Sequence, residues 1–356
     1  MKLLSVIVPT YNMAELLPRC LQSLLDSPCK EELDVIVVND GSKDNSLEVA
    51  MDFQCRYPGI VNVIDKPNGN YGSTINAALP VAKGKYVKIL DSDDWFDTQA
   101  LTQFLAALTS LQTDMAVTHF TQIGGGGDRE VVRYNTMGRE PYQYGKVYNM
   151  DDVLKDGYIR FFLMHAVAYR TQLLRDMNYK QTEGISYTDT EWVTYPVYFV
   201  QKIVFLDINL YQYNLAREGQ TMSPAVLLKS VKQLDSVNDS LMAYYAENAA
   251  KTSLIRQTFL KQYHENRLRV LYKVFLLDMP RTDFDATLFD ELDRKWTQLM
   301  DNFSFKVRLF PENKLLRIEY IHYWHKHHKR WPVWLEKLNA SLDVVMKWLY
   351  VKIFRR

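Results

Sequence analysis

The sequence predicts an α/β fold, a mostly parallel sheet sandwiched between helices over residues 1–223, followed by a helical region over 224–356. Three observations carry this. Short apolar runs alternate with stretches of roughly ten to fifteen residues of helical spacing through the first third of the chain, the pattern of βαβ units. Those runs are continuous rather than alternating, as in strands covered on both faces. After Pro224 the character changes, and Val226–Leu277 is heptad-like without an internal Gly or Pro.

Leu4–Val8 reads as the first strand and ends in Pro9-Thr10-Tyr11-Asn12. Glu15–Leu25 has helical spacing, with Leu16, Leu17, Cys20, Leu21, Leu24 and Leu25 on one side. Val35–Val38 is a second strand and ends in Asn39-Asp40-Gly41-Ser42. Ser46–Arg56 is helical, Val61–Ile64 a strand and Gly72–Val81 a helix. Tyr86–Leu90 is a strand that delivers Asp91-Ser92-Asp93-Asp94. Asp97–Leu111 is a helix, and Met115–Thr121 pairs with Arg129–Tyr134 as a hairpin. The glycines 124–127 between them form a loop and not a phosphate cradle, since no GK[ST] and no helix follows. Tyr142–Tyr158 is irregular, and Phe161–Tyr169 and Val204–Tyr213 read as further strands.

Composition excludes some classes. A net charge of +1 gives no global pull toward nucleic acid. Charge is uneven, with 12 Lys/Arg against 5 Asp/Glu in 301–356, so a basic end follows a mildly acidic body. Three cysteines without CxxC spacing make no disulfide framework or zinc site and suit a reducing cytoplasm. The N-terminal apolar run is too short for a signal peptide, and no window of about 18 uncharged apolar residues predicts a membrane span.

In an open α/β sheet, ligands bind at the carboxyl ends of the strands. Asp91, Asp93 and Asp94 lie at such an end and repel one another, a repulsion that a hard divalent cation with oxygen ligands relieves. The competing reading is a solvated acidic turn that caps the next helix. Asp40 ends a neighbouring strand, where its carboxylate can accept from a nucleobase imide or a ribose hydroxyl, or close an Asx-turn with Gly41. Asn68-Gly69-Asn70-Tyr71-Gly72-Ser73 opens the helix that contains Asn76, either as an anion-binding helix start or as a plain turn and cap.

Taken as a set, a strand ending in PTYN, one ending in NDGS, an N-x-G segment and then KYVKILDSDD resembles the family 2 glycosyltransferases. The resemblance covers roughly residues 1 to 220. It implies the GT-A fold, a nucleotide-binding αβα sandwich, and transfer of a sugar from a nucleotide donor with inversion. It implies that Pro9, Thr10 and Tyr11 line a nucleobase slot and that Asp40 reads the base and ribose. Ser92 and Asn76 join this nucleotide-binding set. Asp91 and Asp93 correspond to the DxD motif, with Asp93 on Mn2+ or Mg2+ and Asp91 nearer the ribose. Two positions depart from the family pattern: Asn39 replaces the first of two acids, and Ile75 replaces a basic residue.

The family's catalytic base lies in a Glu-Asp pair ahead of a Leu-Tyr-x-Tyr strand. Here Thr188-Asp189-Thr190-Glu191-Trp192 precedes Leu210-Tyr211-Gln212-Tyr213. The resemblance therefore implies Asp189 as base, with Glu191 as competitor and Trp192 at an apolar position near the acceptor. His165 is either an acceptor contact or a core histidine. Arg217 and Gln220 follow the last strand as a candidate lid over a diphosphate, since a guanidinium binds phosphate oxygens bidentately. His322, His325, His327 and His328 sit among lysines and arginines, a solvated basic face rather than a metal site. Trp334–Phe354 suits an interfacial helix on a membrane surface, or one packed on protein, including the second subunit of a homodimer.

The expected function is thus a cytoplasmic, metal-assisted, inverting transferase, peripheral on the membrane at most. Its expected donor is a UDP-sugar and its acceptor a glycan or lipid-linked hydroxyl. The alternatives are a nucleotidyltransferase of sandwich fold and a glycan-binding relative without catalysis. The first calls for a Gly-rich basic loop after the first strand, where this chain has Tyr11-Asn12-Met13-Ala14-Glu15.

Overall fold

The computed structural model describes residues 2–134, 142–155, 157–215, 230–311 and 318–354, with side chains through 342 and at 344. Two compact units result, one from residues 1–220 and 236–260, the other from 221–235 and 261–356.

In the first unit the elements run β1 (Leu4–Thr10), α1 (Leu17–Leu25), β2 (Leu33–Asp40), α2 (Ser46–Arg56), β3 (Val61–Lys66), α3 (Asn70–Ala78) and β4 (Tyr86–Ile89). There follow β5 (Trp95–Phe96), α4 (Thr98–Ser110), β6 (Met115–Ile123), β7 (Arg129–Val132), β8 (Val147–Asn149), α5 (Met150–Lys155), β9 (Val167–Arg170), α6 (Thr171–Asp176), α7 (Asp189–Thr194) and β10 (Lys202–Asn214). Of the next two helices, α8 (Val231–Asn248) and α9 (Leu254–Lys273), residues 236–248 and 254–260 belong to this unit. One sheet runs β3-β2-β1-β4-β9-β6-β10-β5, with β7 on β6 and β8 on β10. Its longest pairings, β10 with β6, β1 with β2 and β2 with β3, are parallel. Strand β9 inserts antiparallel between β4 and β6.

Every side chain of β1, β2 and β4 is buried, which is why apolar residues predominate on both faces, with Ser5, Asp34 and Lys88 buried among them. The helix expected from Glu15 begins at Leu17, because Pro18 lacks an N–H and fits only a first turn. The strand expected over Phe161–Tyr169 pairs only over Val167–Arg170, and Phe161 is exposed. The stretch expected to be irregular contains β8 and α5.

Register positions the site. Thr10 lies opposite Asn39, Asp40 opposite Lys66, and Ile7 opposite Ile89, so the ends of β1, β2, β3 and β4 reach one edge of the sheet. The two loops at that edge are laced together. Asn12 N–H donates to Ser42 Oγ at 3.0 Å, Met13 N–H to Ser46 Oγ at 2.7 Å, and Lys43 N–H to Asn12 Oδ1 at 2.7 Å. Gly41 turns at φ +68°, where a Cβ would meet Asn68 N at 2.8 Å.

The second unit is helical and aromatic-cored, with α10 (Ala286–Phe303), α11 (Tyr320–His327) and α12 (Val333–Phe354). Trp296 packs on Tyr272 at 5.0 Å and its indole N–H donates to Asp235 at 2.7 Å. Phe289 packs on Trp324 at 4.7 Å. His322, His325, His327 and His328 are exposed, and the metal-competent cluster among the described residues lies elsewhere. No described helix is long and apolar enough to cross a membrane.

Candidate active site

Strand β4 delivers the acids as expected, but helix capping does not fall to them. Asp97 caps α4 by accepting from Ala100 N–H at 2.8 Å, so the cap of that helix is Asp97 and not an acid of the 91–94 cluster. The carboxylates of Asp91, Asp93 and Asp94 lie within 4.8 Å of one another. Asp91 and Asp93 are half-buried, whereas Ser92 and Asp94 are buried. Asp94 takes 2.6 Å and 2.7 Å hydrogen bonds from the Tyr211 hydroxyl and Asn214 N–H. Burial, then the charges of Asp93 and Asp91, hold its carboxyl well above the usual range. Arg19 lies over the Trp95 ring at 3.8 Å and donates to the Asp93 carbonyl at 2.9 Å. The donor set is all carboxylate oxygen and internally repulsive, which fits a hard divalent ion such as Mg2+ or Mn2+.

Strand β2 ends in Asp40, which is 3% exposed. Its Oδ1 accepts from Lys66 Nζ at 2.7 Å, Gly69 N–H at 2.9 Å and Ser73 Oγ at 3.3 Å. Lys66, at the end of the adjacent strand, is thus the basic partner of Asp40. Pro9 and Thr10 are buried at the end of β1, while Tyr11 is exposed beyond it. Asn76 is half-buried and bonded within the fold. Its amide donates to Gln181 O at 2.9 Å and Glu183 Oε1 at 2.8 Å, and its oxygen accepts from Gln181 N–H at 2.9 Å. It therefore ties α3 to the segment that leads to α7.

Asp189 is half-buried in the first turn of α7, two residues after Tyr187, whose φ is +67°. A bulky residue in that left-handed region marks a turn held by its surroundings. Burial, then the charges of Asp91 and Asp189, push the Tyr71 hydroxyl up. Burial, then Asp94, Asp91, Asp93 and Asp189, do the same to Tyr213. Acids about a hundred residues apart in sequence thus act on the same two phenols. The Tyr71 hydroxyl also donates to Asp91 Oδ1 at 2.9 Å.

Three expected contacts turn inward. Glu191 is fully buried, and its oxygens accept from Thr182 N–H and Thr182 Oγ1, both at 2.7 Å. That makes it a clamp on residue 182 and not a competitor to Asp189. Trp192 is fully buried with its ring against Tyr169 and Tyr179, so it is core and not an acceptor contact. His165 is buried against Tyr213, with ring centroids 4.1 Å apart. Burial and then nearby Lys88 pull it down to about 3, so it stays neutral at working pH. Arg217 and Gln220 lie outside the described residues.

Comparison with known proteins now bears on this edge of acids. Residues 5–177 match the family described as glycosyl transferase family 2. That part of the chain belongs to the family. The poly(ribitol-phosphate) beta-glucosyltransferase of Bacillus spizizenii is 26% identical over 268 residues, 74% of this chain and 40% of that protein. The poly(ribitol-phosphate) beta-N-acetylglucosaminyltransferase TarS of Staphylococcus aureus is 29% identical over 224 residues, 62% of this chain and 37% of that protein. The chain therefore spans about two-fifths of the length of these relatives. The crystal structure of S. aureus TarS in complex with UDP is 21% identical, covers 85% of this chain and 80% of that one, and has a TM-score of 0.56. A TarS complex with UDP-GlcNAc gives 0.53 over 85% and 89%. This likeness establishes the GT-A fold.

Several site residues were not singled out from the sequence: Lys66, Tyr71, Arg19 and the two tyrosines of β10. The alternation in Leu210-Tyr211-Gln212-Tyr213 was a usable signal for the last two.

Proposed function

We propose that the first unit transfers a sugar from a UDP-linked donor to a hydroxyl of a polyol phosphate polymer or related glycan. The observation that carries this reading is the convergence of the Asp91, Asp93 and Asp94 carboxylates within 4.8 Å of one another, at the sheet edge where β2 also ends in Asp40. The names of the poly(ribitol-phosphate) transferases and the UDP-bound TarS structures support the donor and acceptor classes. Asp40, Lys66 and the exposed Tyr11 form the nucleoside end of the proposed site, and Asp91 and Asp93 the diphosphate end. Asp91 and Asp93 would hold Mn2+ or Mg2+, which neutralises charge developing on a departing diphosphate. Asp189 takes the proton from the acceptor hydroxyl as its oxygen bonds to the anomeric carbon. The bond from that carbon to the diphosphate oxygen breaks in the same displacement, so the configuration inverts. Proton removal of this kind contributes roughly 10²–10⁴-fold. The three free cysteines accord with action in a reducing cytoplasm.

The test is a panel of UDP-sugars with Mn2+, scored for donor binding by calorimetry and for slow donor hydrolysis. Asp93→Ala is expected to weaken metal-dependent binding. Asp189→Asn is expected to keep binding and lower turnover by roughly 10²-fold or more. Two variants that hydrolyse donor like the wild type would overturn the site assignment. A wild type that binds donor but turns none over would favour a binding protein.

A further inference from the structure

Away from the acid cluster, the first unit carries a second concavity of about 420 Å³. One wall is the segment from Met177 to Thr182, and the other is a stripe of α8 formed by Ser240, Ala243, Tyr244 and Glu247. These four recur at the three- and four-residue spacing of one helix face. Tyr195 lies between the walls in a 3₁₀ turn after α7.

The aromatic part is prebuilt. Tyr244 stacks on Tyr195 with centroids 3.8 Å apart and planes at 15°, and Tyr198 meets Tyr244 edge-on at 5.2 Å. Tyr195 and Tyr179 are 5% and 6% exposed, whereas Tyr244 is half-exposed and supplies the ring surface. A ring fixed by two neighbours loses little side-chain freedom when a ligand lies on it. Around it stand exposed Lys180 and Glu247, with Ser240 and the Tyr179 hydroxyl, which already accepts from Gln181 at 2.9 Å. Lys180 and Glu247 bring one charge of each sign to the rim. An aromatic platform ringed by hydroxyl, amide and single charges suits the C–H faces and hydroxyls of a polyhydroxylated chain.

The groove also adjoins the machinery. Thr182 lines it, and the Thr182 hydroxyl meets Ser240 Oγ at 3.0 Å on the groove side. The same Thr182 is held by Glu191, two residues beyond Asp189. We propose that this groove is a subsite for the polyhydroxylated acceptor chain, with Tyr244 as its platform. The proposal rests on the transferase reading above and deepens it.

The experiment is an NMR titration of the full chain with two probes, chitohexaose and a ribitol phosphate oligomer, which separate a neutral glycan from a polyol phosphate. Ala243→Trp fills the groove and Tyr244→Ala removes its platform. UDP binding with Mn2+ is measured on each protein. The expected result is saturable binding of one probe to the wild type, weakened roughly tenfold in both variants, with UDP binding unchanged. The groove proposal is overturned if the wild type binds UDP but neither probe, or if both variants bind a probe as tightly as the wild type. Binding of a probe that depends on Tyr244 without any UDP binding would instead remove the transferase reading and leave the groove standing.

Discussion

Replacing Thr182 by valine isolates the clamp beneath the proposed base. The hydroxyl donates to Glu191 Oε1 at 2.7 Å, while the backbone N–H keeps its 2.7 Å bond to Oε2. Valine preserves the shape and deletes both Oγ1 contacts, the one to Glu191 and the 3.0 Å contact with Ser240 Oγ, of which only the first involves a carboxylate. A hydrogen bond to a buried charged group is worth roughly 1.5–3 kcal/mol. Taking about 2 kcal/mol, the melting temperature of a domain this size falls by roughly 4–8 °C. The loss depends on pH. Burial raises the Glu191 carboxyl above its ordinary value, and the Thr182 bonds pull it back. A raised carboxyl contributes stability that is complete below the unfolded value, about 4.3, and is lost as pH rises through the folded value. Thr182→Val raises Glu191 further, so its deficit is largest near pH 7.5 and shrinks toward pH 4.5. Thermal melts of the wild type, Thr182→Val and Thr182→Ser at the two pH values measure this, with serine restoring the bond. Donor hydrolysis is read in parallel, and turnover is expected to fall in valine with donor affinity unchanged. A valine variant that melts with the wild type at pH 7.5, or with a deficit equal at both pH values, would refute the clamp.

Two further outcomes follow from the same coordinates. Glycine to alanine inside a helix ordinarily stabilises by roughly 0.5–1 kcal/mol, but at Gly72 a Cβ would lie 2.1 Å from the Thr182 carbonyl oxygen. Overpacking then wins, and Gly72→Ala is expected to lower stability by roughly 1–3 kcal/mol in denaturant melts; a stabilised variant would show that segment 181–182 yields freely. Lys88 is fully buried, with its ammonium on the carbonyls of His165 and Val167 at 2.7 and 3.1 Å, and burial pulls it down to about 7. A depressed lysine contributes stability that is present above its unfolded value and lost as pH falls through the folded one. Wild-type stability should therefore rise between pH 7.5 and 9, by at most about 1.4 kcal/mol per unit. Lys88→Met should flatten that slope, and a slope that persists in the variant would place its origin elsewhere.

Much of this arrangement was legible along the chain because strand direction alone sets it. Continuous apolar runs gave β1, β2 and β4, and parallel connection then forces Thr10, Asp40 and Asp91 to one edge whatever the details of packing. What pairing supplies was not legible. Lys66 meets Asp40 through the register of β2 against β3, which no local pattern states. Glu191 and Trp192 were misjudged for a related reason. A six-residue helix has no face long enough to reveal a period, so which of Asp189, Glu191 and Trp192 turns outward depends on what covers it.

The acid cluster makes the same point more sharply. Asp91, Asp93 and Asp94 are chemically identical and nearly adjacent, yet the chain turns between them, Asp94 N–H donating to Asp91 O at 3.0 Å, with Asp91 and Asp93 half-buried and Asp94 buried. That turn carries the Asp94 side chain onto β10, where Tyr211 and Asn214 take both of its oxygens. The Tyr211 hydroxyl in turn accepts from Asp91 N–H at 3.2 Å. One phenol from more than a hundred residues downstream thus holds the backbone of the first acid and the side chain of the third. Like charges this close drift apart unless something fixes the chain that carries them. The third aspartate is therefore best understood as the anchor that lets the other two converge.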